Sequence, residues 1–273
     1  MKYKTISSQS AKLLAYFNDK EQTFFSLSEA QTVFSETKSG TLRELMSGMV
    51  KRGLLLRIKE GSYHIIPYEK NHNCYFPNWH LVASQLVKNR DYYIGYYSAL
   101  EIHGLITQPS LIEQIVVDKQ IKPSLKTIFD VKFQFIYHKD KHFFGYKNQW
   151  IDDFNKVKCS DLEKTIIDCL FRPDYAGGIV EIAKAIFKTR EKINWRKLED
   201  YLGKFKKQSV IKRLGFILDL FNLNRDFRKK LLLARSNSFI KLDSSLEASG
   251  KLDNQWRIQI NLDIETIRSS IDS

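Results

Sequence analysis

The chain has 273 residues, 43% hydrophobic and 13% aromatic, which suffices for a core and excludes wholesale disorder. No apolar run approaches the ~18 residues of a membrane span, and no hydrophobic signal region follows the lysines of "MKYKTISSQS". A soluble cytoplasmic protein without a membrane partner is expected, and the net charge of +13 points to a polyanion, either nucleic acid or an acidic protein.

The cysteines (Cys74, Cys159 and Cys169) are odd in number and unpatterned, as in a reducing compartment. Charge is concentrated in two places. Residues 1–66 carry ten Lys and Arg against six Asp and Glu, and residues 181–235 carry sixteen against six.

In chain order, "SQSAKLLAYFND" predicts a helix with Ala11, Leu14, Ala15 and Phe17 on its buried stripe. "SLSEAQTVF" predicts a second helix, opened by a Ser26/Glu29 capping box in which hydroxyl and carboxylate each satisfy an orphan backbone N–H. A similar box at Thr41/Glu44 predicts a third, where Leu42, Leu45, Met46, Met49 and Val50 share one face and Gly53 ends the helix. In "RGLLLRIKEGSYHI", Leu54, Leu56 and Ile58 alternate with Leu55, Arg57 and Lys59; Gly61 supplies a turn, and Tyr63 and Ile65 alternate back. Three helices and a hairpin in this order predict a winged helix-turn-helix over 1–67.

A connector at 68–78 leads to a larger mixed α/β domain at 79–273, so the fold class expected is α+β. Its reading begins with a helix at "WHLVASQLVKN" and another at "YYSALEIHGL", capped by Ser98/Glu101 and stopped by Gly104. Strands are expected at "IEQIVVD", "VKFQFIYH" and "WIDDFNKVKC". A Ser160/Glu163 box then opens "SDLEKTIIDCLF", with Leu162, Ile166, Ile167 and Leu170 inward. Helices follow at "GGIVEIAKAIF", "WRKLEDYLGKF", "SVIKRLGFILDLF" and "FRKKLLLAR", and "NQWRIQINL" reads as a final strand.

The third helix of such a motif lies in the major groove of double-stranded DNA. Opposite its apolar stripe stand Arg43, Ser47 and Lys51, four residues apart and so in one line, while Lys38, Ser39 and Thr41 sit at the N-terminal turn, where backbone N–H groups favour phosphate. Arg43 suits a bidentate contact with guanine. At the hairpin, Leu56, Ile58, Tyr63 and Ile65 are expected to anchor the strands, Lys59 and Ser62 to reach phosphates, and Arg52 and Arg57 to add charge along the same edge. The alternatives are solvated side chains or a winged helix used for protein contacts.

In the second basic region, Lys204, Lys206, Lys207, Lys212, Arg213, Arg225, Arg228, Lys229 and Lys230 read either as a solvated helix face or as a second polyanion or partner surface. Signals for catalysis are weak. Asp174, Glu181 and Lys184 are superficially nuclease-like, but Glu181 and Lys184 are three apart in a segment that reads as helix. His72, Cys74 and His80, like His138 and His142, have loosely metal-like spacing without a fourth ligand. Asp152, Asp153, Asp161 and Glu163 lack a nucleotidyltransferase-like Gly-Ser lead-in, and no phosphate loop or nucleophile elbow stands out. No catalytic residue, metal or cofactor is therefore assigned.

The succession "RGLLLRIKEGSYHIIP", "YYSALEIHGL", "SDLEKTIIDCLFRPDYAGG", "RLGFILDL" and "WRIQINL" resembles the AbiEi family of antitoxins from abortive-infection toxin–antitoxin systems, over nearly the whole chain. The resemblance implies an N-terminal domain that represses its own operon on promoter inverted repeats, and a C-terminal domain that opposes a nucleotidyltransferase-like toxin. It also implies importance for Tyr97, Ser98, His103, Gly104, Asp161, Glu163, Lys164, Asp168, Arg172, Pro173, Gly177 and Gly178. A monomer in solution that pairs on DNA is expected; an orphan regulator, or an interaction module that neutralises a toxin by direct contact, would look the same in sequence.

Overall fold

Alternating strand patterns and 3.6-residue stripes produce an α+β protein, seen in a computed structural model that describes residues 4–88, 90–106 and 108–271. The chain divides into two compact units. The first comprises Met1–Asn89 with Ile128–Val131, and the second Arg90–Thr127 with Lys132–Ser273. The division at 89/90, rather than at 67, has a packing reason given below. Among the described residues, no helix is long and apolar enough to cross a membrane.

In the first unit, the order is α1 (Ser8–Asn18), β1 (Phe24–Ser26), α2 (Leu27–Val33), α3 (Ser39–Lys51), β2 (Leu55–Lys59), β3 (Ser62–Ile65) and α4 (Trp79–Leu86). The three strands form one sheet in the order β1-β3-β2, with antiparallel pairing throughout. Leu13, Phe17, Phe25, Ala30, Leu42, Met46, Met49, Leu54, Leu55, Tyr63 and Ile65 make a continuous core, in which the Phe17 and Phe25 rings stack at 4.3 Å.

Two details of α1 and α3 correct the sequence expectation. On α1 the buried positions are Ser10, Leu13 and Phe17, whereas Ala11 and Ala15 face out, because Leu13 and Phe17 bury more apolar surface and Ser10 beside them accepts from the Arg52 guanidinium. On α3 the Thr41/Glu44 box does not form. The helix starts three residues earlier, at Ser39, with Lys38 as N-cap and no side chain capping it. The Ser26/Glu29 box does form: Ser26 Oγ accepts from Glu29 N at 3.2 Å, and Ser26 N donates to Glu29 Oε2 at 2.7 Å. Gly53 has φ +71°, and a Cβ there would lie 2.5 Å from the His72 ring, so both conformation and space demand glycine.

The hairpin is buried on both faces, not one. Leu55, Tyr63 and Ile65 join the helical core, while α4 packs against β2 and Leu56 and Ile58 are also buried. That second cover draws residues beyond the hairpin into the first unit.

The second unit holds β4 (Tyr92–Ile94), α5 (Tyr96–Ile102), β5 (Ile112–Val117), β6 (Leu125–Ile128), β7 (Val131–Tyr137), β8 (Tyr146–Trp150), β9 (Lys156–Ser160) and α6 (Leu162–Phe171). Then follow α7 (Ile179–Thr189), α8 (Trp195–Phe205), α9 (Gln208–Leu220), α10 (Arg225–Ala234), β10 (Ile240–Lys241), β11 (Lys251–Asp253), β12 (Ile258–Ile260) and α11 (Ile264–Ser269). A six-stranded mixed sheet has the order β6-β7-β5-β4-β9-β8, and a small sheet the order β10-β12-β11. "WIDDFNKVKC" is not one strand but the bend and return of the β8–β9 hairpin, because Asp152 accepts from Phe154 N and Asn155 N and turns the chain. Helices α6 to α10 share one apolar cluster, into which Trp256 inserts over Gly215: a Cβ on that glycine would lie 2.0 Å from the indole.

Two further caps differ from expectation. Ser98 lies inside α5, and the Gln114 side chain instead accepts from Tyr97 N (2.9 Å) and Ser98 N (3.4 Å) across from β5. Asp161, not Ser160, caps α6, accepting from Lys164 N at 3.0 Å; Glu163 accepts from Asn194 N instead. Gly104 ends α5 at φ +67°, as expected. At α5 a residue from another strand outcompetes the local hydroxyl, and at α6 the adjacent carboxylate does.

Candidate nucleic-acid interface

Apolar anchoring of α3 through Leu42, Met46 and Met49 fixes which of its sides meets solvent. Arg43, Ser47 and Lys51 are exposed on that side, with Lys38, Ser39 and Thr41 exposed at its N-terminal turn. The uncapped N-terminus leaves the positive end of the helix dipole open to an anion. Across from α3, the hairpin contributes Arg57 and its tip. Arg43, Ser47, Val50, Arg57, Glu60, Gly61, Tyr63 and Leu27 line a cleft of about 360 Å³. Among the described residues, no hydrogen bond or ion pair engages the side chains of Lys38, Arg43, Lys51 or Arg57, so their charges are uncommitted. The carboxylate of Glu60 opposes phosphate at the same tip.

Three expected contacts are corrected. Lys59 is folded back: its Nζ donates to the Leu86 carbonyl at 3.1 Å, holding the hairpin to the end of α4. Ser62 is buried in β3, where it pairs with Ser26 of β1. The Arg52 guanidinium donates to the Gly48 carbonyl (3.1 Å), the Thr5 carbonyl (3.3 Å) and Ser10 Oγ (2.8 Å), tying α3 to α1. A long basic side chain at an element's end finds nearby carbonyls as readily as solvent, and sequence spacing does not reveal which.

The second basic region is largely consumed by the fold. Arg213 is buried, and its guanidinium donates to the carbonyls of Leu242 (2.8 Å), Leu170 (2.7 Å), Lys241 (3.1 Å) and Phe171 (3.4 Å). Burial lowers its pKa to about 10, with Asp243 and Asp174 opposing the shift, so it stays charged at neutral pH. Lys212 is buried along its stem and donates to the Ser238 carbonyl. Arg228 pairs with Asp219 at 2.6 Å, Lys230 with Glu199 at 2.7 Å, and Lys229 lies 3.9 Å from Asp226. The ammonium groups of Lys204 and Lys207 lie over the rings of Phe144 and Phe171. Lys206 and Arg225 are exposed.

The motif residues of the second unit gather around α6 and serve its placement. Lys164 and Asp168, one turn apart and both buried, form an ion pair inside the protein. Tyr93 OH accepts from Lys164 Nζ (2.9 Å) and donates to Asp168 Oδ2 (2.9 Å). With that hydroxyl proton committed, His138 Nδ1 must donate to Tyr93 OH (3.1 Å), which leaves Nε2 to accept from Tyr96 OH (2.7 Å). Such an imidazole is neutral, and burial lowers its pKa to about 4 in agreement.

Around this network, His103 Nε2 bonds the Ser160 carbonyl at 2.8 Å and Lys197 bridges Asp161 and Glu163 at 3.0 and 2.9 Å. Arg172 pairs with Asp174 at 2.8 Å. Pro173 opens a turn into Gly177 and Gly178, and Tyr97 lies against Gly177. Sequence reasoning missed Tyr93 and His138 here, because they join α6 from 75 and 30 residues away. Glu181 and Lys184 stand on α7, a helix as expected. Among the described residues, no three His, Cys, Asp or Glu side chains converge in a way that could hold a metal ion.

No family model matches the chain, and no curated protein matches it. Among solved structures, the chain is similar to the crystal structure of the RV2827C protein from Mycobacterium tuberculosis. The TM-score is 0.75 at 11% identity, over 99% of this chain and 97% of that one. The likeness is one of fold.

Proposed function

We propose that the chain is a DNA-binding transcriptional repressor and antitoxin of the AbiEi kind. Its first unit acts as a winged helix-turn-helix, with α3 in the major groove and the β2–β3 hairpin as the wing. The observation that carries this reading is the set of uncommitted cations. Arg43 and Lys51 stand on the outward line of α3, Arg57 faces them from the hairpin, and among the described residues no side chain or carbonyl engages their charged groups. Arg43 reads a guanine edge, whereas Lys38, Lys51, Arg57 and the open end of α3 hold phosphates. Two chains occupy the halves of an inverted repeat. By the resemblance of its second unit to that family, the chain also opposes a nucleotidyltransferase-like toxin.

Selection of binding sites from a randomised duplex pool, repeated with Arg43→Ala, tests the reading. Enrichment of an inverted repeat by the native chain and loss of its guanine preference in the variant is the expected outcome. A pool that stays random with the native chain ends the proposal. Co-expression with the nucleotidyltransferase-like protein of a neighbouring gene, with rescue of growth, tests the antitoxin half separately.

A further inference from the structure

We infer that an open cleft between α8, α9 and α10 docks an acidic amphipathic helix of a protein partner. The cleft measures about 340 Å³, within the size range of sites that take apolar groups. Its floor is Leu202, Ile211, Phe227 and Leu231, contributed by three helices whose relative placement is fixed. Gln208 at the start of α9 donates to the Ala234 carbonyl at 3.1 Å and accepts from Ser236 N at 2.6 Å, locking the end of α10 in place. On one wall Gly203 is exposed, and a Cβ added there meets nothing within 4 Å, so a partner's backbone can approach α8 closely.

Charge selects the occupant. On the rim, Lys206 is exposed and, among the described residues, its side chain has no hydrogen-bonded or ion-paired partner. Lys230 is paired, among the described residues, with Glu199 alone, which lines the same rim, and a second carboxylate can share this surface lysine at little cost. Lys204 on α8 and Arg225 and Lys229 on α10 are exposed as well. Apolar anchors recurring at i, i+3, i+4 and i+7 with flanking carboxylates match a greasy floor under a basic rim. A duplex would meet the lysines but has no side chains to fill the floor. A second copy of this chain, at net +13, would bring like charge to the rim. The inference does not depend on duplex binding by the first unit, and the peptide titration is run without DNA.

The probe is a fluorescein-labelled helical peptide of about 16 residues, with leucines at that spacing and glutamates on both flanks. Its Lys-for-Glu counterpart and a scrambled isomer serve as comparisons, and anisotropy is read with the full chain. The glutamate peptide should bind at least about tenfold tighter than either comparison. Gly203→Trp, which fills the cleft from an open position, should weaken it about tenfold or more, and Lys206→Glu by about threefold. Both variants should keep the native circular dichroism and unfolding midpoint. Equal binding of the three peptides overturns the inference, as does indifference to Gly203→Trp. If Gly203→Trp instead abolishes duplex binding, or breaks a dimer of the free chain, the cleft belongs to DNA or to a second copy, and the inference fails.

Discussion

The two basic regions look alike in composition and differ in what their charges touch. On α3, cations stand on a helix whose apolar side is anchored, and nothing within the described residues takes up Arg43 or Lys51. On α9, Arg213 and Lys212 occupy a helix buried along much of its surface and satisfy backbone carbonyls there. A region with net charge far above the other's thus commits more of its cations to its own fold. Counting cations measures a chain's appetite for anions only after those consumed by its own carbonyls and carboxylates are removed.

The comparison breaks first if Arg213 behaves as a surface residue. Arg213→Met should cost about 3–5 kcal/mol, because four carbonyls lose their donor in a dry interior, and urea unfolding reads it directly. Next comes pH. Burial lowers His64 in the first unit and His138 in the second to about 4, from an ordinary 6.5. Below pH 6.5 the unfolded chain binds protons that the folded chain refuses. Stability is therefore full above 6.5 and falls as pH drops towards 4, by about 1.4 kcal/mol per pH unit for each histidine. In His64→Gln the slope of urea-unfolding free energy against pH should shrink by about one proton; an unchanged slope would place that imidazole in solvent.

Salt sharpens the other side of the comparison. With ~4 phosphate contacts per chain, the affinity of one chain for a half-site duplex should fall about 10²-fold between 50 and 200 mM salt. Arg43→Ala should leave the unfolding midpoint within about 0.5 kcal/mol of native yet remove about 1–3 kcal/mol of discrimination at one base pair, the reverse of Arg213→Met. The smallest effect separates two residues of one strand. Arg57→Ala should weaken all duplexes about equally and lower the salt slope by about one, whereas Lys59→Ala should leave the salt slope unchanged. A salt slope lowered by Lys59→Ala would show that its bond to Leu86 opens on DNA.

Local signals carried far. The Ser26/Glu29 box, the apolar line on α3, the stop at Gly53 and the hairpin turn at Gly61 were all legible, because each depends on residues within four positions of one another. The helices α7 to α10 were legible for the same reason. Caps were read less well at Thr41, Ser98 and Ser160. There Ser98 was overruled by Gln114 from another strand, and Ser160 by its neighbour Asp161. The line Arg43, Ser47, Lys51 came from spacing alone, whereas the withdrawal of Arg52, Lys59 and Ser62 did not, since the groups that engage Arg52 and Lys59 include Thr5, Ser10 and Leu86.

What the amino-acid order determined by itself was the α+β content and, on α3, both the inward apolar face and the outward line, because periodicity acts over one or two turns. Tertiary structure alone decided which lysines and arginines remain free, how Lys164, Asp168, Tyr93 and His138 come to share protons, and where the first unit ends. Those outcomes depend on carbonyls, hydroxyls and covering helices that lie far off in the chain, and a buried charge takes whichever partner the packing brings within hydrogen-bond reach.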